Sequence, residues 1–170
     1  MGMIYVFTGD GKGKTSAALG VALRSYGYRK TIVFVQFMKN RETGEIKFAD
    51  KRKGFAIHQF GSENFVDLSH PSEDDRKRAE AGLEFAEAVI TKKAPDLLVL
   101  DEINVAVRHG LLKGHRVLDL IRKLPENTDI ILTGRDASKE IIEVADLVTE
   151  MKEIKHPYAK GTEAKKGLDF

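Results

Sequence analysis

Residues Ile4 to Ser16 run Ile-Tyr-Val-Phe-Thr-Gly-Asp-Gly-Lys-Gly-Lys-Thr-Ser. An apolar run meets glycines at alternate positions (Gly9, Gly11 and Gly13), then a Lys-Thr pair, then a helix-forming stretch. This is the pattern of a phosphate-binding loop in its proper context, with a strand before it and a helix after it. Glycines let the backbone curl so that several N–H groups face one anion. The following helix adds its unpaired amino-terminal N–H groups and the positive end of its dipole. Lys14 brings a point charge to the phosphates, and Thr15 brings a hydroxyl suited to Mg²⁺. One position departs from the usual spacing. The glycine expected five residues before Gly13-Lys14 is Thr8, and the first glycine comes one step later, at Gly9. The alternative is a Gly-rich turn with an incidental lysine; the flanking strand and helix argue against it.

The rest of the chain repeats the strand-then-helix alternation. Apolar runs at Ile4–Phe7, Thr31–Phe37, Phe55–Phe60, Leu97–Leu100, Asp129–Leu132 and Leu147–Glu150 predict six strands. Helical spacing is found in Thr15–Ser25, from Ser72 to Lys93, in Val117–Leu124 and in Ser138–Val144. Pro95 and Pro125 interrupt the chain after the second and third of these. Such alternation predicts βαβ units, an α/β fold and a mostly parallel sheet. The 170 residues read as one domain, 1–170, with no repeat, linker or low-complexity segment. In such sheets ligands bind beyond the carboxyl ends of the strands. The polar clusters Thr8–Thr15, Phe37–Lys39, Asp101–Glu102 and Thr133-Gly134-Arg135 all fall at strand ends and should meet at one edge.

Several function classes are excluded at this level. A net charge of +2 gives no overall polyanion or membrane signal. With no cysteine there is neither a disulfide framework nor a thiolate metal site. No apolar stretch approaches the roughly 20 residues of a membrane span. Strand pattern begins almost at once and leaves no room for a signal peptide, so a cytoplasmic protein is the expectation. His58, His70, His109, His115 and His156 are scattered without zinc-hydrolase spacing. No Gly-x-Ser-x-Gly nucleophile turn exists. Nor does an Asp-x-His-x-x-Gly triplet of the kind that ligates cobalt in corrinoid carriers.

Leu97-Leu-Val-Leu-Asp-Glu102 resembles the strand that sets an acid beside Mg²⁺ in phosphate-loop proteins. Arg135, after the fifth predicted strand, has the fork to hold phosphate oxygens; a surface arginine after a turn is the alternative. Arg24, near the end of the first helix, carries the same ambiguity. Lys39 to Lys53 holds six basic and three acidic residues. It reads as a solvated mobile loop, with an anion-binding flap as the other reading.

Taken in order, Gly9-Asp-Gly-Lys-Gly-Lys-Thr-Ser16, Ala22-Leu-Arg24, Val35-Gln-Phe-Met-Lys39, Asp101-Glu102, Thr133-Gly-Arg135, Ala145-Asp-Leu-Val-Thr-Glu-Met151, Lys155-His-Pro-Tyr158 and Gly161…Gly167-Leu-Asp-Phe170 closely resemble the ATP:corrinoid adenosyltransferases of the CobA/BtuR type. The resemblance spans almost the whole chain. It implies a P-loop, RecA-like three-layer fold. It also implies transfer of the 5′-deoxyadenosyl group of ATP to reduced cob(I)alamin or a related corrinoid, making adenosylcobalamin and releasing triphosphate. In this family the reduced cobalt is itself the nucleophile, so no nucleophilic side chain is required, and ATP lies along the loop in a reversed sense. By motif match Gly9, Asp10, Gly11, Lys12, Gly13, Lys14, Thr15 and Ser16 would hold the triphosphate. Thr15 and Glu102 would bind Mg²⁺ (or Mn²⁺), with Asp101 as their supporting partner. Arg24 and Arg135 would be further nucleotide contacts, and Lys14 and Arg135 would spread the charge of the leaving group.

Some relatives carry a Phe-x-Trp pair that displaces the corrinoid's lower axial ligand. The matching segment here is Phe65-Val66-Asp67, and the chain has no tryptophan. Phe65 would act alone or with Leu68; ordinary core is the other reading of Phe65. Longer relatives have an additional amino-terminal segment over the site, whereas this chain starts directly at its first strand. The resemblance further implies an electron-donating reductase, flavodoxin-like or flavin-based, and a homodimer. Two other function classes compete. One is a P-loop ATPase or kinase acting at the γ-phosphate, although no residue stands out as a water-orienting base. The other is a non-catalytic ATP or corrinoid sensor, or a nucleic-acid module. The basic 39–53 segment lacks the interleaved aromatics a base-stacking surface needs, so no nucleic acid is expected as a partner.

Overall fold

A computed structural model describes residues 2–64, 66–156, 161 and 163–168. The elements are, in chain order, β1 (Ile4–Thr8), α1 (Lys14–Gly27), β2 (Ile32–Phe37), α2 (Gly44–Ala49), β3 (Phe55–Phe60), α3 (Glu73–Lys92), β4 (Leu97–Asp101), α4 (Ile103–Arg108), α5 (Gly114–Arg122), β5 (Asp129–Thr133), α6 (Lys139–Val144) and β6 (Leu147–Glu150). All six expected strands form. They make one sheet in the order β3-β2-β4-β5-β1-β6. Every adjacent pair is parallel, which sharpens the mostly parallel sheet expected from the sequence.

Helices cover both faces, and the side-chain alternation of each strand shows why. In β4, Leu97 and Val99 face a core built with Ala18 and Ala22 of α1. Leu98 and Leu100 face the opposite core, with Leu83 and Ala86 of α3 and Val117 and Leu120 of α5. Strands buried on both faces read as unbroken apolar runs, as these do. The result is the three-layer architecture of the P-loop, RecA-like class.

The longest helix starts as its sequence predicts. Ser72 Oγ accepts the Asp75 N–H while the Asp75 carboxylate accepts the Ser72 N–H, a reciprocal capping box. Glu73, Asp74 and Asp75 place negative charge in the first turn, where the helix dipole favours it. Gly82 allows α3 to press onto the sheet: a Cβ there would lie 2.9 Å from Phe37 and 3.0 Å from Phe60.

Two helices differ from expectation. Part of the 39–53 segment is helical (α2) rather than loop, because Phe48 and Ala49 pack toward the core on the α1 side. α4, directly after Asp101-Glu102, was not anticipated. It has only six residues, too few to display a helical period, and Ile103, Asn104, Val105 and Ala106 are buried. Among the described residues no helix is long and apolar enough to cross a membrane.

Candidate active site

The carboxyl ends of β1, β2, β4 and β5 converge on an open groove of about 840 Å³. Its floor is the loop from Asp10 to Ser16, and Glu102, Arg135, Lys39 and Arg41 stand around it. The sequence-level expectation that these clusters share one edge holds.

The loop's shape follows from its glycines. Gly13, the residue that caps α1, has φ 112°, and Gly9 has φ 94°. Both lie in the left-handed region that side chains disfavour. The turn at Gly13 starts α1 with no side-chain cap, so the first N–H groups of the helix face the groove without a capping oxygen. Lys14 folds back over the curl, its ammonium donating to the carbonyls of Gly9 (2.6 Å) and Gly11 (2.7 Å). Burial pushes the Lys14 pKa down; Glu102 opposes this and Arg135 adds to it.

Asp101 ends β4 wholly buried. Four groups satisfy its carboxylate. Thr15 Oγ1 (2.8 Å) and Thr133 Oγ1 (2.7 Å) donate to Oδ1, while Lys39 Nζ (2.7 Å) and Gln36 Nε2 (3.2 Å) donate to Oδ2. A buried charge is tolerated only with such compensation. Asp101 thus ties the loop, β2 and β5 to one point. Burial by itself would lower the Lys39 pKa. The charge and hydrogen bond of Asp101, with Glu102 and Glu45, outweigh burial and hold it raised.

Glu102 adopts φ 65°, ψ 16°, and its N–H donates to Thr133 Oγ1 at 2.9 Å. This left-handed turn redirects the chain from β4 into α4 and leaves Glu102 on the groove wall. Burial raises its pKa first, and the like charge of Asp101 second, against the pull of Lys39, Lys14 and Arg135.

Lys14, Thr15, Asp101, Glu102 and Arg135 therefore meet, together with Asp10, Gly11, Lys12, Gly13 and Ser16. Gly9 contributes its carbonyl from beneath. Arg24 is exposed in the last turn of α1, about 15 Å along the axis from Lys14, and does not line the groove. Phe65 lies outside the described residues, as does Tyr158. A smaller, more apolar cavity of about 230 Å³, with Phe37, Met38, Val66 and Leu68 on its walls, adjoins the groove through Glu102 and Val105. Gln36, Lys39 and Thr133 were not assigned roles from sequence. The signal for Gln36 was an amide inside an otherwise apolar strand.

No group of three His, Asp or Glu side chains that could hold a metal by themselves exists among the described residues. The Thr15 hydroxyl and the Glu102 carboxyl are hard oxygen donors of the kind Mg²⁺ prefers. Any cation held here would share its remaining positions with water and a bound polyphosphate.

The family model for ATP:corrinoid adenosyltransferases BtuR/CobO/CobP matches residues 1–170. A corrinoid adenosyltransferase of Pseudomonas aeruginosa is 36% identical over 170 residues, covering 99% of this chain and 84% of the relative. One from a Sinorhizobium species is 37% identical over 173 residues, covering 99% and 80%. The Escherichia coli K12 enzyme is 31% identical over 170 residues, covering 99% and 86%. With its strands, loop and paired acids in this order, the chain belongs to the ATP:corrinoid adenosyltransferase family.

Proposed function

We propose that the groove performs the family's reaction, with residues 1–170 acting as one domain. The protein is an ATP:corrinoid adenosyltransferase: it joins the 5′-deoxyadenosyl group of ATP to the cobalt of a reduced corrinoid. The cobalt–carbon bond forms as the bond between C5′ and the triphosphate oxygen breaks, and triphosphate leaves with the bonding electrons. Cob(I) supplies the electron pair, so the chain needs no nucleophile of its own. Its task is to position the two substrates and stabilise the departing charge.

The observation that carries this reading is the glycine-curled loop, with the Lys14 ammonium folded over it and Arg135 lining the same groove. Loop amides, Lys14 and Arg135 neutralise the triphosphate. Thr15 and Glu102 would hold Mg²⁺, with Asp101 fixing the Thr15 hydroxyl from behind. A divalent cation there would add charge neutralisation on the phosphate oxygens. Glu102, desolvated beside the like charge of Asp101, is a site that a cation relieves. Arg24 would enter only as an outer contact. Phe65, by the resemblance alone, would press on the corrinoid's lower face. A homodimer, an electron-donating reductase and a cytoplasmic setting complete the proposal and rest on the resemblance and the sequence.

The test is anaerobic incubation with MgATP and chemically reduced cobalamin. A light-sensitive cobalt–carbon product with one equivalent of triphosphate is expected. Orthophosphate without that product would favour a reaction at the γ-phosphate instead.

A further inference from the structure

We propose that Met151 is a positioning residue for the phosphate loop: its main chain, continuing β6 past its end, clamps Thr8 and Gly11 and keeps the Gly11 N–H away from the bound anion. The inference rests on the reading that this loop grips the triphosphate of ATP.

Three observations converge on it. First, the parallel pairing of β6 with β1 does not stop at Glu150. The Met151 N–H donates to the Thr8 carbonyl at 2.8 Å, and the Met151 carbonyl accepts the Gly11 N–H at 2.6 Å. Gly11's carbonyl meanwhile accepts from Lys14. Both main-chain groups of Gly11 are thus committed inside the protein, and the amides that open the helix come later, from Gly13 through Ser16.

Second, the clamp leaves no room for side chains. A Cβ on Gly9 would lie 2.5 Å from the Met151 carbonyl oxygen. A Cβ on Gly11 would lie 2.7 Å from that oxygen and 2.8 Å from the Lys152 carbonyl carbon. Gly11 does not have a positive φ, so its lack of a side chain answers to this contact alone. On the far side of the loop Met151 Sδ would meet a Cβ on Gly13 at 3.6 Å, an ordinary contact.

Third, β6 is an exposed edge strand: Leu147 and Val148 remain 38% and 39% accessible. Its burial contributes little to the core, while its end reaches the loop. The departure at Thr8 has the same cause. Thr8 holds Met151 through its carbonyl, and its Oγ1 accepts the Ala137 N–H at 3.2 Å. The residue standing where the usual motif has its first glycine is an anchor for the clamp.

The direct test is the through-hydrogen-bond scalar coupling between the Gly11 nitrogen and the Met151 carbonyl carbon, measured by NMR with and without MgATP. The coupling is expected in the free protein and is expected to persist in the complex, while the Lys14 and Thr15 amides shift. Its absence from the free protein, or its loss on MgATP binding while those amides respond, would overturn the clamp alone. If no amide of residues 9–16 responds to MgATP, this inference falls together with the functional reading. Gly11→Ala provides a second readout. MgATP affinity is expected to fall at least tenfold with the melting temperature within a few degrees of wild type; unchanged affinity would overturn the proposal. Should that variant fail to fold, the wild-type coupling still decides.

Discussion

The floor of this groove is organised around one buried carboxylate. Asp101 is satisfied by two hydroxyls, an amide and an ammonium drawn from three segments, the loop with the start of α1, β2 with its end, and β5. Glu102, its neighbour, is held in a left-handed conformation that costs a non-glycine residue about 1–2 kcal/mol. Backbone strain of this kind collects at functional sites because the surrounding structure enforces it. Glu102→Gly would relieve the strain and remove a desolvated charge. Against this stands glycine's extra chain entropy when unfolded, about 0.5–1 kcal/mol. The expected result is a melting temperature equal to wild type or up to about 3 °C higher, with adenosyl transfer lost. A clearly less stable variant that still turns over would show that Glu102 serves the fold rather than the site. Asp101 and Glu102 were legible in the sequence because two acids closing an apolar strand are conspicuous. Lys39 and Gln36 were not assigned a role, because their significance depends on a β2–β4 pairing that strand patterns do not reveal.

At the scale of elements, the strands were easier to identify than the connections. Six short apolar runs matched six strands, since both faces of each strand are covered. α4 was missed because its six residues are too few to display a helical period. α2 was missed because the charges around it describe its exposed side only. The amino ends of the strands show how the sheet is closed away from the site. Asp96 Oδ2 accepts both the Thr31 N–H (2.7 Å) and the Thr31 hydroxyl (2.8 Å), linking the start of β4 to the start of β2. The backbone bond from Thr31, then its side-chain bond, hold the Asp96 carboxyl below its ordinary pKa. The carboxylate form is the one the fold prefers. Its stabilising contribution is therefore complete above the unfolded-state pKa and lost as pH falls through the folded-state value. Asp96→Asn should lower the melting temperature at pH 7, and the gap should close as the medium is acidified below the normal carboxylate range. A gap that stayed constant down to low pH would assign the effect to geometry rather than charge.

At the scale of the whole molecule, strand order decides what the groove can be. β5 and β1 lie side by side next to β4, so Thr133, the loop and Asp101 share one edge although they are far apart in sequence. That order could not be read from the chain, whereas membership of the family could, because ordered short motifs survive where pairwise register does not show. The central claim is that this edge binds ATP for attack at C5′ rather than at the γ-phosphate. A crystal structure with MgATP bound tests it most directly. The triphosphate is expected within residues 12–16, near Arg135, with the ribose C5′ facing the open side of the groove toward Leu68 and Val66. A complex with the γ-phosphate facing that opening and C5′ turned inward would contradict it.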